Sequence, residues 1–417
     1  MKKLFAAAIV LCSIIDASAL VTFPKAANNF QLYPDTALAE VKDPKGYEIF
    51  HVEHYGRHGS RWHIGLQRYD SIMAIMNEAE AIDNLTPLGR EILKEVTAER
   101  EPMVLRDGEL SEAGARQHRG IAARMAKNYP NVFRKGAYID ARSTFVRRCI
   151  LSMSNAVTQL VNDVPGMNVH IDATMADDFY LKKDDNPETA QAMAEAWPKC
   201  LEFRATRSIG NDFLGRLFKD PSKIAPSRNI DYLSDALYEV AANAVSTRES
   251  SVIRQLFTDE EIDKLWQRQN CDWFMRAGNT PLTRNLMPMK QADLLANIIN
   301  SADTAIVSPN ISANLRYGHE SIVLPLVVLM DINGFGKEYS DLDEVAREWR
   351  SCDVFPMACN VQIVFARPKG KKTTRPEDVL VKVMLNEQET SLPIPADKNN
   401  FSRWTDFRNH YLAKIKK

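Results

Sequence analysis

Two strand-like runs, far apart in the chain, each end in a segment rich in arginine and histidine, and this pairing constrains the fold more than any other feature. The first run, at 46–55, leads into residues 55–61, which read Tyr-Gly-Arg-His-Gly-Ser-Arg. The second, at 313–317, leads into residues 316–320, which read Arg-Tyr-Gly-His-Glu. Because ligands bind at the carboxyl ends of strands in open α/β sheets, both segments are predicted to face one anion.

Helical and strand-like patterns alternate along the chain, which predicts a parallel or mixed α/β sheet with helices on both faces. Residues 20–46 have the mixed character of a surface arm, and residues 165–300 have mainly helical patterns, typical of an inserted cap. The other predicted elements are helices at 67–82, after Thr86, from Ser111 to about 128, after 146, at 188–196, 230–245, 259–267, 290–299 and 320–330, and strands at 137–141, 361–366 and 379–385.

Composition and charge exclude several classes of protein. The 417 residues are 45% hydrophobic and 26% charged, with a net charge of −1, which indicates a globular protein of two domains or one large insertion and no nucleic-acid partner. Residues 1–19 have the pattern of a signal peptide, with Lys2 and Lys3, an apolar run, and a small-residue cleavage site at 17–19. The run is short for a membrane anchor, so we expect an exported protein, periplasmic or secreted.

Export permits disulfide bonds, and the number of cysteines left after the signal peptide is odd, so at least one thiol stays free. Cys149 follows an arginine on a predicted core helix and is interpreted as a buried thiol. Cys352 could pair with Cys359, and Cys200 with Cys271; the sequence leaves both pairings open. No spacing of cysteine and histidine matches a zinc site.

The chemistry of the first segment depends on His58, which lies between Arg57 and Arg61. Two close cations are costly unless they are exposed or neutralised, and a tetrahedral dianion between them removes that cost through bidentate contacts. The imidazole can then attack phosphorus while the guanidinium groups bind its oxygens. In the second segment, His319 can contact another phosphate oxygen and Glu320 can supply a proton.

A third cationic group, Arg142, Arg147 and Arg148, lies at the start of a predicted helix. Cations there oppose the helix dipole, at a cost of roughly 0.3–1 kcal/mol each when exposed, and a bound phosphate would reverse that cost. The alternatives are a solvated basic helix start, or arginines paired with carboxylates from elsewhere in the chain.

A metal site at His51, Glu53, His54 and His58 is a further alternative for the first segment. The spacing does not match the helical HExxH pattern of zinc proteases. On a strand, positions 51 and 54 would face opposite sides of the sheet, so they are poorly placed to share an ion.

Three segments resemble signatures of the histidine acid phosphatase family. Residues 57–61 resemble its RHGxR signature, residues 142–148 its RSTxxxR segment, and residues 318–320 its His-Asp proton-donor motif, in the same order along the chain. The likeness is closest to the multiple inositol polyphosphate phosphatase branch. It covers most of the chain after residue 19, including 110–114, 149–153 and 320–330.

The resemblance implies a fold: a phosphoglycerate mutase-like, three-layer α/β core made of 20–164 and 301–417. A mostly α-helical cap domain would be inserted at 165–300. It also implies a reaction that needs no cofactor and no metal, on a small phosphate monoester. The expected substrate is an inositol polyphosphate such as phytate.

The resemblance implies a role for each motif residue. His58 would be the nucleophile and Glu320 the proton donor. The phosphoryl group would be bound by Arg57, Arg61, Arg148 and His319.

The sequence departs from the family pattern at two places. His63, after Trp62, stands where the family has proline, which we expect to change the loop shape rather than the chemistry. The inositol polyphosphate branch reads His-Ala-Glu, whereas here Glu320 follows His319 directly and Ser321 comes next. Glu320 thus takes the place of the aspartate in the His-Asp pattern, with a longer side chain.

Two other functions are compatible with these motifs. One is a general acid phosphatase or sugar-phosphate phosphatase. The other, of a different class, is a non-catalytic protein that binds polyphosphate and has lost turnover through its altered donor motif. Trp62, His63 and Arg142 are candidates for pocket walls that select the substrate.

Overall fold

A computed structural model describes residues 20–34, 41–182, 186–224, 228–308, 310–371 and 374–416. The predicted signal peptide, residues 1–19, lies outside the described residues. Within the described part of the chain, no helix is both long enough and apolar enough to span a bilayer.

In the described part of the chain, one mixed sheet of eight strands forms the centre of the protein. The strands are β1 (Tyr47–Arg57), β2 (Tyr138–Ser143), β3 (Asn168–Asp172), β4 (Ala313–Gly318), β5 (Asn360–Pro368), β6 (Leu380–Leu385), β7 (Gln388–Glu389) and β8 (Ser402–Arg403). Their order in the sheet is β3-β2-β4-β1-β5-β6-β7, with β8 beside β6. The first four strands along the chain run parallel to one another, whereas β5 and β6 are antiparallel to their neighbours, so the prediction of a parallel or mixed sheet is confirmed.

The predicted helix starts at Thr86 and Ser111 are confirmed, because each side chain accepts a hydrogen bond from the backbone N–H three residues later. The helices of the described residues are α1 (Gln67–Ala81), α2 (Pro87–Arg106), α3 (Glu112–Asn128), α4 (Arg147–Asp163), α5 (Asp178–Leu181), α6 (Pro187–Thr206), α7 (Leu214–Leu217), α8 (Ile230–Asn243), α9 (Asp259–Ala277), α10 (Ala292–Val307), α11 (Glu320–Met330), α12 (Leu342–Glu348) and α13 (Trp404–Ile415). Helices α12 and α13 and strands β3, β7 and β8 were not predicted.

Helices cover both faces of the sheet and bury its apolar side chains. On one face α3 and α4 pack against the parallel strands, where Met153 lies in the same core as Val52 and Leu315. On the other face α10, α11 and α13 pack, and Trp404 contacts Phe365 of β5. These three layers are the expected α/β core.

A separate hydrophobic core joins helices from two distant stretches of the chain. It combines Tyr69 of α1 and Ile92 of α2 with Leu237 of α8 and Trp266 of α9. Helices α1 and α2 belong to the stretch that we assigned to the sheet core, whereas β3 falls within the stretch assigned to the cap. The division of the chain into domains therefore stays a prediction.

The structure corrects two expectations about the chain outside the sheet. All five described cysteines are free and buried, so neither proposed disulfide is present; the Sγ atoms of Cys200 and Cys271 are in contact at 3.1 Å but not bonded. The surface-arm interpretation of residues 20–46 was wrong for Ala26–Phe30, which are all buried.

Candidate active site

Three strand ends meet at one edge of the sheet, as the motifs predicted. In the register of the parallel strands, Arg57 lies opposite Gly318 and Ser143 lies opposite Tyr317. The backbone N–H of His58 donates to the Gly318 carbonyl at 2.9 Å, which joins the first motif to the second. The segments from β1, β2 and β4 therefore form a single site.

The backbone of the first motif is held by the start of α3. The hydroxyl of Ser111 donates to the Ser60 carbonyl at 3.0 Å, and the Ser60 N–H donates to Gln117 Oε1 at 2.9 Å. Glycine is needed at the contact itself, because a Cβ on Gly59 would lie 2.5 Å from the Gly114 carbonyl oxygen. This close approach explains why glycine stands both at position 59 of the motif and at position 114 of α3.

His58 is buried and its ring is oriented by its own loop. Its Nδ1 lies 2.8 Å from the Gly59 carbonyl oxygen, so Nδ1 carries the hydrogen and Nε2 keeps its lone pair. Burial lowers the pKa of His58 well below its usual value, against the opposing effect of Glu320, so the ring is neutral. Nε2 has no hydrogen-bond partner among the described residues and is available as a nucleophile.

Arg57 and Arg61 are both buried, yet each keeps hydrogen-bonding capacity unused. Nη1 of Arg57 donates to the carbonyls of Asn29 and Phe355, at 2.5 and 3.0 Å, while its Nη2 has no partner in the described part of the chain. Nη1 of Arg61 donates to the Trp62 carbonyl at 3.0 Å, and its Nε is likewise unpartnered. Burial lowers the pKa of Arg61 to about 10, which leaves it charged at neutral pH.

Arg148 and His319 are the next two predicted members of the site. Arg148 lies in the first turn of α4, and its charge lowers the pKa values of both His58 and His319. The ring of His319 lies 5.7 Å from that of His58, centre to centre. Burial, assisted by Arg148, lowers the pKa of His319 to about 3, so this ring is neutral and can donate or accept a hydrogen bond.

Glu320, the first residue of α11, occupies the space between these cations. Its Oε2 lies 3.1 Å from Nε of Arg57 and 3.5 Å from Nε2 of His58. Burial by itself raises the pKa of Glu320, but the charges of Arg57 and Arg61 oppose burial, and that pKa lies well below its usual value. The carboxylate is therefore ionised and takes the position of an anion.

We call the group formed by these residues the anion site; it consists of Arg57, His58, Arg61, Arg148, His319 and Glu320. All six predicted site residues are thus brought together. Several buried cations around one acid, with open N–H groups and a neutral imidazole, can bind a tetrahedral dianion and attack it.

Other candidate residues lie outside the anion site. Arg142 pairs with Asp140 at 2.9 Å and Asp177 at 2.7 Å, and Arg147 is exposed. His63 is buried beside the site, where its Nε2 lies 2.9 Å from Oε1 of Glu239.

A second cluster of polar side chains lies further down β1 and β4. Arg316 pairs with Glu53. Among the described residues, no group of three or more His, Cys, Asp or Glu side chains is arranged to hold a metal ion. We call this group the strand-centre cluster; it consists of His51, Glu53, Asn297, Ser301, Asn314 and Arg316.

One contributor to the site, residues 25–31, was not predicted from the sequence. Besides the Asn29 carbonyl that binds Arg57, the Phe30 ring lies 5.3 Å from the guanidinium of Arg61. No motif or periodicity in this stretch could have revealed the contacts, since one is made by a backbone oxygen and the other by a single aromatic ring.

No protein-family model matches the sequence, and no curated protein matches it significantly. Solved structures do match along nearly the whole chain. The multiple inositol polyphosphate phosphatase of Bifidobacterium longum matches in its complex with inositol hexasulfate (TM-score 0.71, 17% identity, 94% of this chain and 98% of that chain). Its complex with phosphate matches with a TM-score of 0.72 at 18% identity, over the same shares of the two chains.

Phytases match as well, at lower identity. The phytase of D. castellii matches with a TM-score of 0.66 at 12% identity, over 94% of this chain and 85% of that chain. The phytase of Hafnia alvei matches with a TM-score of 0.54 at 11% identity, over 90% and 98%. The chain therefore has the mixed α/β fold of the histidine acid phosphatases, shared with a multiple inositol polyphosphate phosphatase and with phytases.

Proposed function

We propose that this chain is an exported phosphomonoesterase that releases phosphate from inositol polyphosphates such as phytate, through a covalent phosphohistidine on His58. The observation that carries this proposal is the orientation of His58. Its Nδ1 faces the Gly59 carbonyl. Its Nε2 lies 3.5 Å from the same Glu320 oxygen that Nε of Arg57 contacts at 3.1 Å. A neutral imidazole with a fixed tautomer is ready for in-line attack on a phosphoryl group that the arginines bind.

In the first step, Nε2 of His58 attacks phosphorus, the N–P bond forms, and the P–O bond to the substrate alcohol breaks. The departing oxygen receives a proton from Glu320. Arg57, Arg61 and Arg148 stabilise the charge on the equatorial oxygens, which is usually the largest contribution to this kind of catalysis. His319 makes a further contact to one of these oxygens.

In the second step, water attacks the phosphohistidine. The Glu320 carboxylate takes a proton from that water, the new O–P bond forms, and the N–P bond breaks to release phosphate and neutral His58. Throughout both steps the hydrogen bond from Nδ1 to the Gly59 carbonyl keeps the ring in one orientation.

Glu320 must move before it can act as a donor. Its Oε2 lies 3.5 Å from Nε2 of His58, which leaves no room for a phosphoryl group between them. A bound dianion would displace the carboxylate and neutralise the arginines that hold its pKa low. The pKa of Glu320 then rises, and the carboxyl group can bind the proton that the leaving alcohol needs.

One observation supports inositol polyphosphates as the substrate class. The fold is shared with phytases and with a multiple inositol polyphosphate phosphatase that was solved with inositol hexasulfate. A general acid phosphatase or sugar-phosphate phosphatase has the same catalytic group and is distinguished by the substrates it accepts.

A second candidate function, binding of polyphosphate without turnover, is favoured by one observation. Glu320 is ionised in the anion site, held there by Arg57 and Arg61. If the carboxylate kept its low pKa with substrate bound, the first step would lack its proton donor.

The decisive experiment measures phosphate released from phytate at about pH 5, in the presence of a chelator, with His58→Ala purified in parallel. We expect release by the parent protein and none by the variant. Binding of phytate without release would favour the non-catalytic function, and release only after metal is added would refute the mechanism. A panel of sugar phosphates and aryl phosphates, with the products mapped, then separates a phytase from a general phosphatase.

A further inference from the structure

Residues 21–31, which we call the N-terminal strap, run behind the anion site and are fixed at both ends. At one end, the Val21 N–H donates to Oδ1 of Asp263 in α9, at 2.8 Å. At the other, the Met357 N–H donates to the Gln31 carbonyl, at 2.8 Å, just before β5. The strap therefore connects the helical core to the sheet core.

Phe30 is the strap residue whose side chain packs against Arg61. It is 4% exposed, and it packs in a small apolar cluster with Met357 from the sheet side and Ala242 from the helical side. One face of its ring lies 5.3 Å from the guanidinium carbon of Arg61, and the ring of His63 stacks against it at 6.0 Å. The ring is thus held between the two halves of the protein and against the motif loop.

The guanidinium of Arg61 has few other constraints. Its only side-chain hydrogen bond with a described residue runs from Nη1 to the Trp62 carbonyl, and its Nε has no partner. Since bidentate contacts to phosphate depend on the plane of the guanidinium group, an arginine with one bond needs another contact to set that plane. The aromatic face of Phe30 is the contact in place to do so.

We propose that Phe30 is a positioning residue, which fixes the guanidinium plane of Arg61 for phosphate binding and so couples the N-terminal strap to catalysis. The neighbouring residue has a parallel task, because the Asn29 carbonyl accepts a hydrogen bond from Arg57 at 2.5 Å. Two consecutive strap residues thereby orient two of the three arginines. The inference rests on the proposed function, since it assigns Arg61 a phosphate oxygen to bind.

The test compares three variants of the full chain: Phe30→Leu, which removes the aromatic face, Phe30→Tyr, which keeps it, and Phe203→Leu. Phe203 is a matched control because it is also buried, with Arg207 4.3 Å above its ring, and neither residue belongs to the anion site. For each variant, kcat and KM on phytate, the inhibition constant of inorganic phosphate, and the melting temperature are measured.

We expect Phe30→Leu to lower kcat/KM about tenfold and to weaken phosphate inhibition by a similar factor. Phe30→Tyr should stay within about threefold of the parent protein, and Phe203→Leu should lower the melting temperature with kcat/KM and phosphate inhibition unchanged. Equal kinetic losses in Phe30→Leu and Phe203→Leu would overturn the inference, because the role of the ring would then be stability alone.

Two further measurements keep this inference separate from the proposed function. If Phe30→Leu does not fold, Phe30→Met takes its place, since it also fills the space without an aromatic face. If the parent protein binds phosphate by calorimetry but hydrolyses no ester, the proposed function fails, while the phosphate affinity of the variants still tests Phe30. Unchanged phosphate affinity in Phe30→Leu would then reject its role.

Discussion

The anion site and the strand-centre cluster are both built around β1 and β4. Their charged groups differ in how many of their hydrogen-bonding atoms have a partner. In the strand-centre cluster, Glu53 accepts hydrogen bonds from Asn314, Ser301 and His51 at 2.7, 2.8 and 2.9 Å and pairs with Arg316. In the anion site, the one acid faces several cations, and N–H groups of the arginines are left without partners among the described residues.

The difference distinguishes the two clusters where residue type does not. Arg316 lies within one of the two sequence motifs, but its donors are taken by Glu53, Asn297 and Ser301. Arg148 makes no side-chain hydrogen bond or ion pair that the described residues provide. The arginines of the anion site therefore keep N–H donors that the oxygens of a phosphate could accept.

The largest expected effect of breaking the anion site comes from His58→Ala. Loss of the nucleophile should lower kcat by at least about a thousandfold, because the covalent step has no other imidazole in line. Phosphate binding should partly survive, since the arginines remain. Phosphate release from phytate is the measurement, with His410→Ala of α13 as the control; retention of a tenth of the activity in His58→Ala would contradict the assignment.

In the strand-centre cluster, Arg316→Met should act on stability instead. It leaves Glu53 buried without its cation, at an expected cost of about 3–5 kcal/mol in the free energy of unfolding. Denaturation by urea at neutral pH measures this loss. The matched control is Arg367→Met, since Arg367 pairs with Glu48 at a partly exposed position and its removal should cost under about 1 kcal/mol. Equal losses in the two variants would mean that the buried pair contributes no more to the free energy of unfolding than the partly exposed pair.

In the anion site, Arg148→Met should act on activity and not on stability. It removes a cation that is close to other cations, so the free energy of unfolding should stay level or rise. The value of kcat/KM should fall about a hundredfold, because one donor to the phosphoryl oxygens is lost. Arg147→Met, one residue away and exposed, is the control and should change neither quantity. Destabilisation by Arg148→Met of the size expected for Arg316→Met would remove the distinction between the clusters.

The smallest effect concerns Glu320→Gln and has two parts. The variant no longer has an internal anion that competes with phosphate, so phosphate should bind about three- to tenfold more tightly. Turnover should fall most for substrates with poor leaving groups, because they need the proton. Calorimetry with phosphate and kinetics on alkyl and aryl phosphates test the two parts.

Glu112→Gln, an exposed acid in the first turn of α3, is the control for Glu320→Gln. Weaker phosphate binding by Glu320→Gln would contradict the displacement of the carboxylate. An equal loss of turnover on every leaving group would contradict its role as donor.

Local sequence was sufficient for most of the elements that carry the site. The apolar patterns of β1 and β4 and the caps at Thr86 and Ser111 depend on neighbouring residues, so they could be recognised without the fold. Strand β3 was missed because it is a short edge strand with mostly exposed or partly exposed side chains and no strong apolar run. The N-terminal strap was misjudged because its burial depends on residues such as Met357 and Asp263, far along the chain.

The sequence by itself determined which residues were predicted to form the site, because the chemistry of a side chain and its local spacing can be recognised without the fold. Only the tertiary structure decided which charged side chains keep hydrogen-bonding atoms without a partner among the described residues. Arg316 is satisfied by partners from α10, whereas Arg57, Arg61 and Arg148 converge on Glu320 and a buried histidine. The physical reason is that hydrogen-bond satisfaction, burial and pKa depend on groups brought together from distant parts of the chain, and no local pattern encodes them.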